Sequence, residues 1–440
     1  YQDGSTRIAG LWDQSIPTGE DVIPPCVPAY YELSGASYGT EFTREQINQA
    51  LASDSPLDLV PSTDTNGHGT FLAGIAAGGS LPEQDFTGAA PECEIIVVKL
   101  KQAKRYLREF YLVSLGRPLI ILIALGSNLG SHEGTSPLSS VVQDASRFLG
   151  RAAVIAAGNE TGRAHHHFGT IPSGQEWDDV EIRVGPEESA RGFSLELWAS
   201  TAATYSVGFV SPSGEIISRI PIIARNETSI PFLLEPTVIT VNYQLIESGA
   251  GKQLIFMRFR NPVAGIWKVR VYNTQYFTGE FHMWLPSEGL VSDETVFLRP
   301  TPDTTITLPG NTAAPITVGA YNHLNNSIYI HSSRGFTPSG IVKPELAAPG
   351  VNVMGPSVGR RAGGSVPMTT RSGTSVAAAG VQEEIQHSAT PTKNGATEHW
   401  IYMKPSGVSG NNPLFSKVNE PCKGMNYPRI CINGPPLFSR

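Results

Sequence analysis

His68 sits between Gly67 and Gly69 in the block TDTNGHGTFLAGIAAG, and Ser375 follows Gly373 and Thr374 in RSGTSVAAAG. A serine hydroxyl is a weak nucleophile until a neighbouring base takes its proton. An imidazole, which titrates near neutrality, is the natural base. The glycines beside His68 allow close backbone approach and leave the ring accessible. Ser375 leads into Val376 and three alanines, a strong helix start. A nucleophile there gains free backbone N–H groups and the positive end of the helix dipole. Between the two blocks, AAGN ends at Asn159, whose amide can donate to a developing oxyanion. Each residue alone has a plainer reading: a turn histidine, a helix cap, a turn asparagine. Their joint occurrence in this order favours a nucleophile, its base and an oxyanion donor.

Three elements must position these groups. Ile95 to Val98, Leu119 to Leu125 and AAVIAAGN read as buried strands of a parallel sheet. KQAKRYLREFYLVSLG and LSSVVQDASRFLG read as the helices between them. Alternating strand and helix predicts a doubly wound α/β layer, with ligands at the carboxyl ends of its strands. Those ends carry Ala124, Leu125 and Gly126 on one strand and Gly158 and Asn159 on another. From about Val180 to Leu285 the texture changes to short β-branched and aromatic runs between turn residues. That pattern predicts an antiparallel sandwich of jelly-roll type, inserted into the α/β layer because buried-strand segments resume at APITVGAYN. After about Ala389 the chain is polar and proline-rich, and little regular structure is expected.

Composition excludes several classes. Charged residues make up 16% of the 440 residues and the net charge is -7, with no basic run to follow a nucleic-acid backbone. The apolar stretch from Leu119 to Leu125 is far too short to span a membrane. The four cysteines form no CxxC pair and read as reduced thiols. No signal peptide opens the chain, and its first residue is Tyr, as in a processed or incomplete sequence. His165, His166 and His167 are consecutive and rarely converge on one ion in that arrangement, so no metal and no cofactor is expected. Trp198, Trp267 and Trp284 could offer stacking faces to a glycan, though core packing is the preferred reading.

The blocks resemble those of the subtilisin-like serine proteases, the subtilases. NGHGT is similar to their histidine block, SGTSVAAA to their serine block and VIAAGNE to the strand that delivers their oxyanion asparagine. APITVGA, SSRGFTPSG and KPELAAPGVNV resemble the run leading to the nucleophile helix, and ALGS resembles the strand lining their substrate cleft. PSTDTNGHGTFLAGIAAG, EIIVVKLK, GTSPL and DGSTRIAGLWDQ resemble the clostridial germination proteases and related subtilases. The resemblance implies a serine endopeptidase acting on a protein substrate, with Ser375 as nucleophile, His68 as base, Asn159 as oxyanion donor and Ala124, Leu125 and Gly126 in the cleft. It also implies a spore or secreted setting, with a cortex-hydrolase zymogen as the substrate.

It implies a division into four stretches. Residues 1–178 form the first part of the α/β domain, 179–300 the inserted sandwich, 301–390 the second α/β part, and 391–440 a tail unlike the family. The pattern breaks at the triad aspartate, for which the chain has no IDSGID-like block. Among the closer relatives that block precedes the segment similar to DGSTRI, which places the aspartate ahead of Tyr1. Asp13 is the one mimic within the chain, and the family offers no triad role for Asp64. Changing that aspartate typically costs about 10^4-fold in rate. The rival expectation is therefore a non-catalytic relative that works by binding. A further departure lies beyond Ala379, where Glu383, Glu384 and Gln386 replace a long apolar helix.

Overall fold

The computed structural model describes residues 3–17, 39–100, 119–147, 150–200, 202–223, 227–274, 278–359 and 366–381. The helix expected over KQAKRYLREFYLVSLG and the tail beyond Val381 lie outside them, as do Cys26, Cys422 and Cys431; Cys93 is unbonded.

Strand Arg151–Ala156 runs parallel to Leu119–Ile123 on one side and to Ile316–Asn322 on the other, and the latter runs parallel to Leu346–Pro349. Its residues are apolar on both faces because both faces are covered: Ala153, Val154 and Ile155 are all but inaccessible. On one face Ala153 and Ile155 pack against Val142 of helix Pro137–Ser146. That helix starts at a Ser136 cap with Pro137 in the first turn, where its missing N–H costs nothing. On the other face Val154, Ala156, Val318 and Ala320 pack against Ala377 and Ala378 of helix Thr374–Gly380, the serine helix. Helices on both faces make this the doubly wound layer that the sequence pattern predicts. Alanines on the serine helix keep it close to the sheet, so its first turn lies near the strand ends.

A second, smaller sheet has Ile8–Asp13 at its centre, parallel to Ile95–Lys99 and antiparallel to Thr40–Thr43. Ile95–Lys99 therefore takes its ladder from the start of the chain rather than from Leu119–Ile123. The helix His68–Ala77, the histidine helix, bridges the two parts, its Phe71, Ile75 and Ala76 clustering with Val376 and Ala379. Gly74 lets strand Val353–Pro356 lie against this helix, since a Cβ there would lie 2.0 Å from Pro356 Cγ.

Between strands Arg151–Ala156 and Ile316–Asn322 the chain builds two antiparallel sheets. One has five strands centred on Gly265–Asn273, Tyr205–Val210 and Trp177–Val184. The other has six, including Phe193–Ala199, Gln253–Arg260, Gly279–Trp284 and His166–Ile171. Alternate residues of both face one shared core containing Trp267, Tyr205, Tyr243, Phe209, Phe259 and Phe281. Burying each such side chain contributes roughly 1.5–3 kcal/mol, so this core alone can hold the two sheets face to face. Trp267, Trp284 and Trp198 are all buried, at 0%, 1% and 5% exposure, and none offers an open stacking face.

Candidate active site

Each sequence-selected group comes from a different element, and three of them line one cavity. Gly67 ends the loop before the histidine helix at φ +76°, a left-handed conformation that glycine adopts without strain. The Asp64 carboxylate caps that helix start, accepting from the N–H groups of Asn66, Gly67 and Thr70 and from the Thr70 hydroxyl. The capped turn presents His68 as the first helical residue. At the second centre Gly373, at φ +150°, turns the chain from strand Met368–Arg371 into the serine helix. Ser375 is the second residue of that helix, where a backbone N–H has no intrahelical acceptor. His68, Asn159, Arg371, Ser372 and Ser375 border a cavity of about 210 Å³.

Asn159 is locked by the serine block. Its Oδ1 accepts from the Thr374 N–H at 3.0 Å and the Thr374 hydroxyl at 3.2 Å. A backbone N–H can only donate, so the amide oxygen must face Thr374 and Nδ2 is left to face the cavity. The Thr374 hydroxyl also accepts from the Gly158 N–H at 3.1 Å, and Thr374 is fully buried. A Cβ on Gly373 would stand 3.4 Å from Asn159 Nδ2.

Ala124 lies where the sequence expects the cleft, just past strand Leu119–Ile123. Its carbonyl accepts from the Ser375 hydroxyl at 3.2 Å. Leu125 is half exposed beside it. Gly126 and Gly158 both lie against Thr307, which a Cβ on Gly126 would meet at 2.1 Å from Oγ1. Burial pushes His68 below its ordinary value, and the Arg371 guanidinium adds to that shift; the Ala124 carbonyl and Asp64 partly oppose it. His68 is therefore neutral at pH 7, the form a base requires.

Among the described residues no carboxylate hydrogen-bonds to His68. Asp13, the sequence mimic of a triad aspartate, is fully buried at the end of its strand. It pairs there with Lys99 Nζ at 2.8 Å and accepts from Ser15 and Ser62. Burial alone would raise its pKa, but these partners hold it at about 2. The consecutive histidines diverge, since alternate residues point to opposite faces. His165 meets Glu160 at 2.7 Å, His166 meets His282 and the Thr301 carbonyl, and His167 meets the Arg299 carbonyl. Among the described residues no His, Cys, Asp and Glu group is arranged to hold a metal ion.

Sequence reasoning did not single out Thr374, Thr307 or Arg371. Thr374 could have been found, because a hydroxyl between Gly373 and Ser375 is placed to cap or clamp. A lone arginine or threonine in a strand or loop carries no such signal.

Comparison with known proteins identifies the family. The family model described as "Subtilase family" matches residues 36–212 and 298–383, more than half of the chain. The solved structure of the Clostridium perfringens CspB protease superposes with a TM-score of 0.70 at 27% identity, covering 87% of this chain and 78% of that one. A Bacillus licheniformis lipase, BlEst2, aligns at 14% identity and a TM-score of 0.17 over 28% of this chain and 22% of that one, too little to bear on the fold. No curated protein matches. The chain belongs to the subtilase family of subtilisin-like serine peptidases.

Proposed function

We propose that this chain is a serine endopeptidase in which Ser375 attacks the scissile carbonyl and His68 first takes and then returns the proton. Asn159 Nδ2 and the Ser375 N–H bind the oxyanion. The observation that carries this reading is the shared cavity: nucleophile, base and oxyanion donor come from three separate stretches and converge on one space. Ala124, Leu125 and Gly126 form the wall against which an extended substrate lies. The two-sheet unit is an insertion in the peptidase domain; its first strand is His166–Ile171, so it starts ahead of the expected boundary at 179 and runs to about 300. Resemblance to the germination proteases supports a protein zymogen of the spore cortex as substrate. The reaction starts when the Ser375 hydroxyl leaves the Ala124 carbonyl and gives its proton to His68.

The decisive experiment is labelling with a fluorophosphonate, which reacts only with an activated serine. Mass spectrometry should find the adduct on Ser375, and neither His68→Ala nor Ser375→Ala should label. A second reading, a subtilase relative that binds without cutting, draws on the lack of a carboxylate partner for His68 among the described residues. It is supported if the folded wild type fails to label.

A further inference from the structure

Among the described residues the cavity holds one formal charge that acyl transfer does not use. Arg371 lies four residues before Ser375, at the end of strand Met368–Arg371, and lines the cavity with His68 and Asn159. Its position is fixed from two sides. Nη2 donates to the Asn66 carbonyl at 2.9 Å, and the guanidinium carbon lies 5.7 Å above the Phe71 ring. Those contacts use one of its five N–H groups. Among the described residues it has no carboxylate partner. Asp64, the acid on the same loop, cannot serve, because both its oxygens are committed to the histidine-helix cap. Among the described residues no other one lining the cavity is an acid, a lysine or an arginine.

We propose that Arg371 is a specificity residue, taking an aspartate or glutamate side chain of the substrate close to the scissile bond. The inference rests on the peptidase reading above and names the substrate class for it: acidic peptide segments. A planar guanidinium held on an aromatic face is ready to grip a carboxylate with two parallel hydrogen bonds. The surroundings sharpen the choice. The chain carries a net charge of -7, but charges farther than about 8 Å are largely screened at physiological salt. The local cation therefore decides what enters.

The test uses the full chain and fluorogenic octapeptide pools in which one position at a time is fixed as Glu or as Gln. For wild type, kcat/KM at one position beside the cut should favour Glu over Gln at least tenfold. Arg371→Gln should bring that ratio to about 1, and Arg371→Lys should leave it in between. A wild-type ratio near 1 at every position, or an unchanged ratio in Arg371→Gln, overturns the proposal. The second result would mean that Arg371 serves only to clamp the Asn66 carbonyl. If no pool is cut and Ser375 does not label, the peptidase reading fails on its own. The same pools are then titrated onto Ser375→Ala and Ser375→Ala/Arg371→Gln by fluorescence polarisation. A Glu-over-Gln binding ratio of ten that vanishes in the double variant supports the Arg371 assignment, and equal ratios overturn it.

Discussion

Thr374 holds Asn159 by its oxygen, through a 3.0 Å bond from the backbone N–H and a 3.2 Å bond from the hydroxyl. The donor that would stabilise an oxyanion is thus aimed by the residue next to the nucleophile. Asn159→Ala should lower kcat about 100- to 1000-fold, the usual cost of one oxyanion donor. Thr374→Val keeps the N–H bond but frees both Asn159 and the Gly158 N–H from the hydroxyl. A fall of about tenfold in kcat is expected, with a stability loss of roughly 1–3 kcal/mol for the unsatisfied buried N–H. Steady-state kinetics beside urea unfolding separates the two effects.

His68 is active as a base only when neutral. Burial first, and the Arg371 charge second, lower its pKa. The rate of fluorophosphonate labelling should therefore climb as pH rises through a value below 6.5 and be flat at neutrality. Arg371→Gln removes the repelling cation and should move that limb to higher pH. An inflection above 7 in the wild type would contradict the assignment.

Asp13 should matter to stability and not directly to chemistry. Its folded pKa of about 2 lies below the ordinary 3.8, so its contribution is complete above that ordinary value and fades as pH falls toward 2. Asp13→Ala leaves Ser62 and Lys99 without their buried acceptor and should cost roughly 2–4 kcal/mol. The labelling rate of the folded variant should change less than tenfold. A loss near 10^4-fold would instead give Asp13 the role of the triad acid.

The junction between the α/β layer and the two-sheet unit should be acid-sensitive. His132 stacks on Trp284 with centroids 4.1 Å apart, and His166 and His282 stack on the same ring. Burial lowers His132 to about 4 and His282 to about 3, and sets His166 well below its ordinary range. The unfolded chain takes up these protons near pH 6.5 while the fold resists them. Stability is thus complete above pH 6.5 and declines as pH falls toward 4, by up to about 3 kcal/mol for His132 alone. Thermal melts at pH 7 and pH 5 should show the drop, and His282→Gln should shrink it.

Much of this protein is written in short stretches of sequence. The glycines around His68, the Gly-Thr-Ser turn before the alanines and the strand ending at Asn159 specify local backbone, and backbone geometry depends on neighbouring residue types. The sheet strands are legible for the same reason: Val154 and Ile155 belong to a continuous apolar run, which only a strand covered on both faces tolerates. What the linear order could not carry is which groups face each other across the cavity. Arg371 and Thr374 act on residues some 200 to 300 positions away, and such pairings depend on how closely Phe71, Ile75 and Ala76 pack on Val376 and Ala379. The fate of Asp13 was equally invisible, since a strand-end aspartate reads the same whether it meets a histidine or a lysine. Only the placement of Ile95–Lys99 beside it, through a parallel ladder formed across more than 80 residues, brought Lys99 to its carboxylate and made it a structural acid.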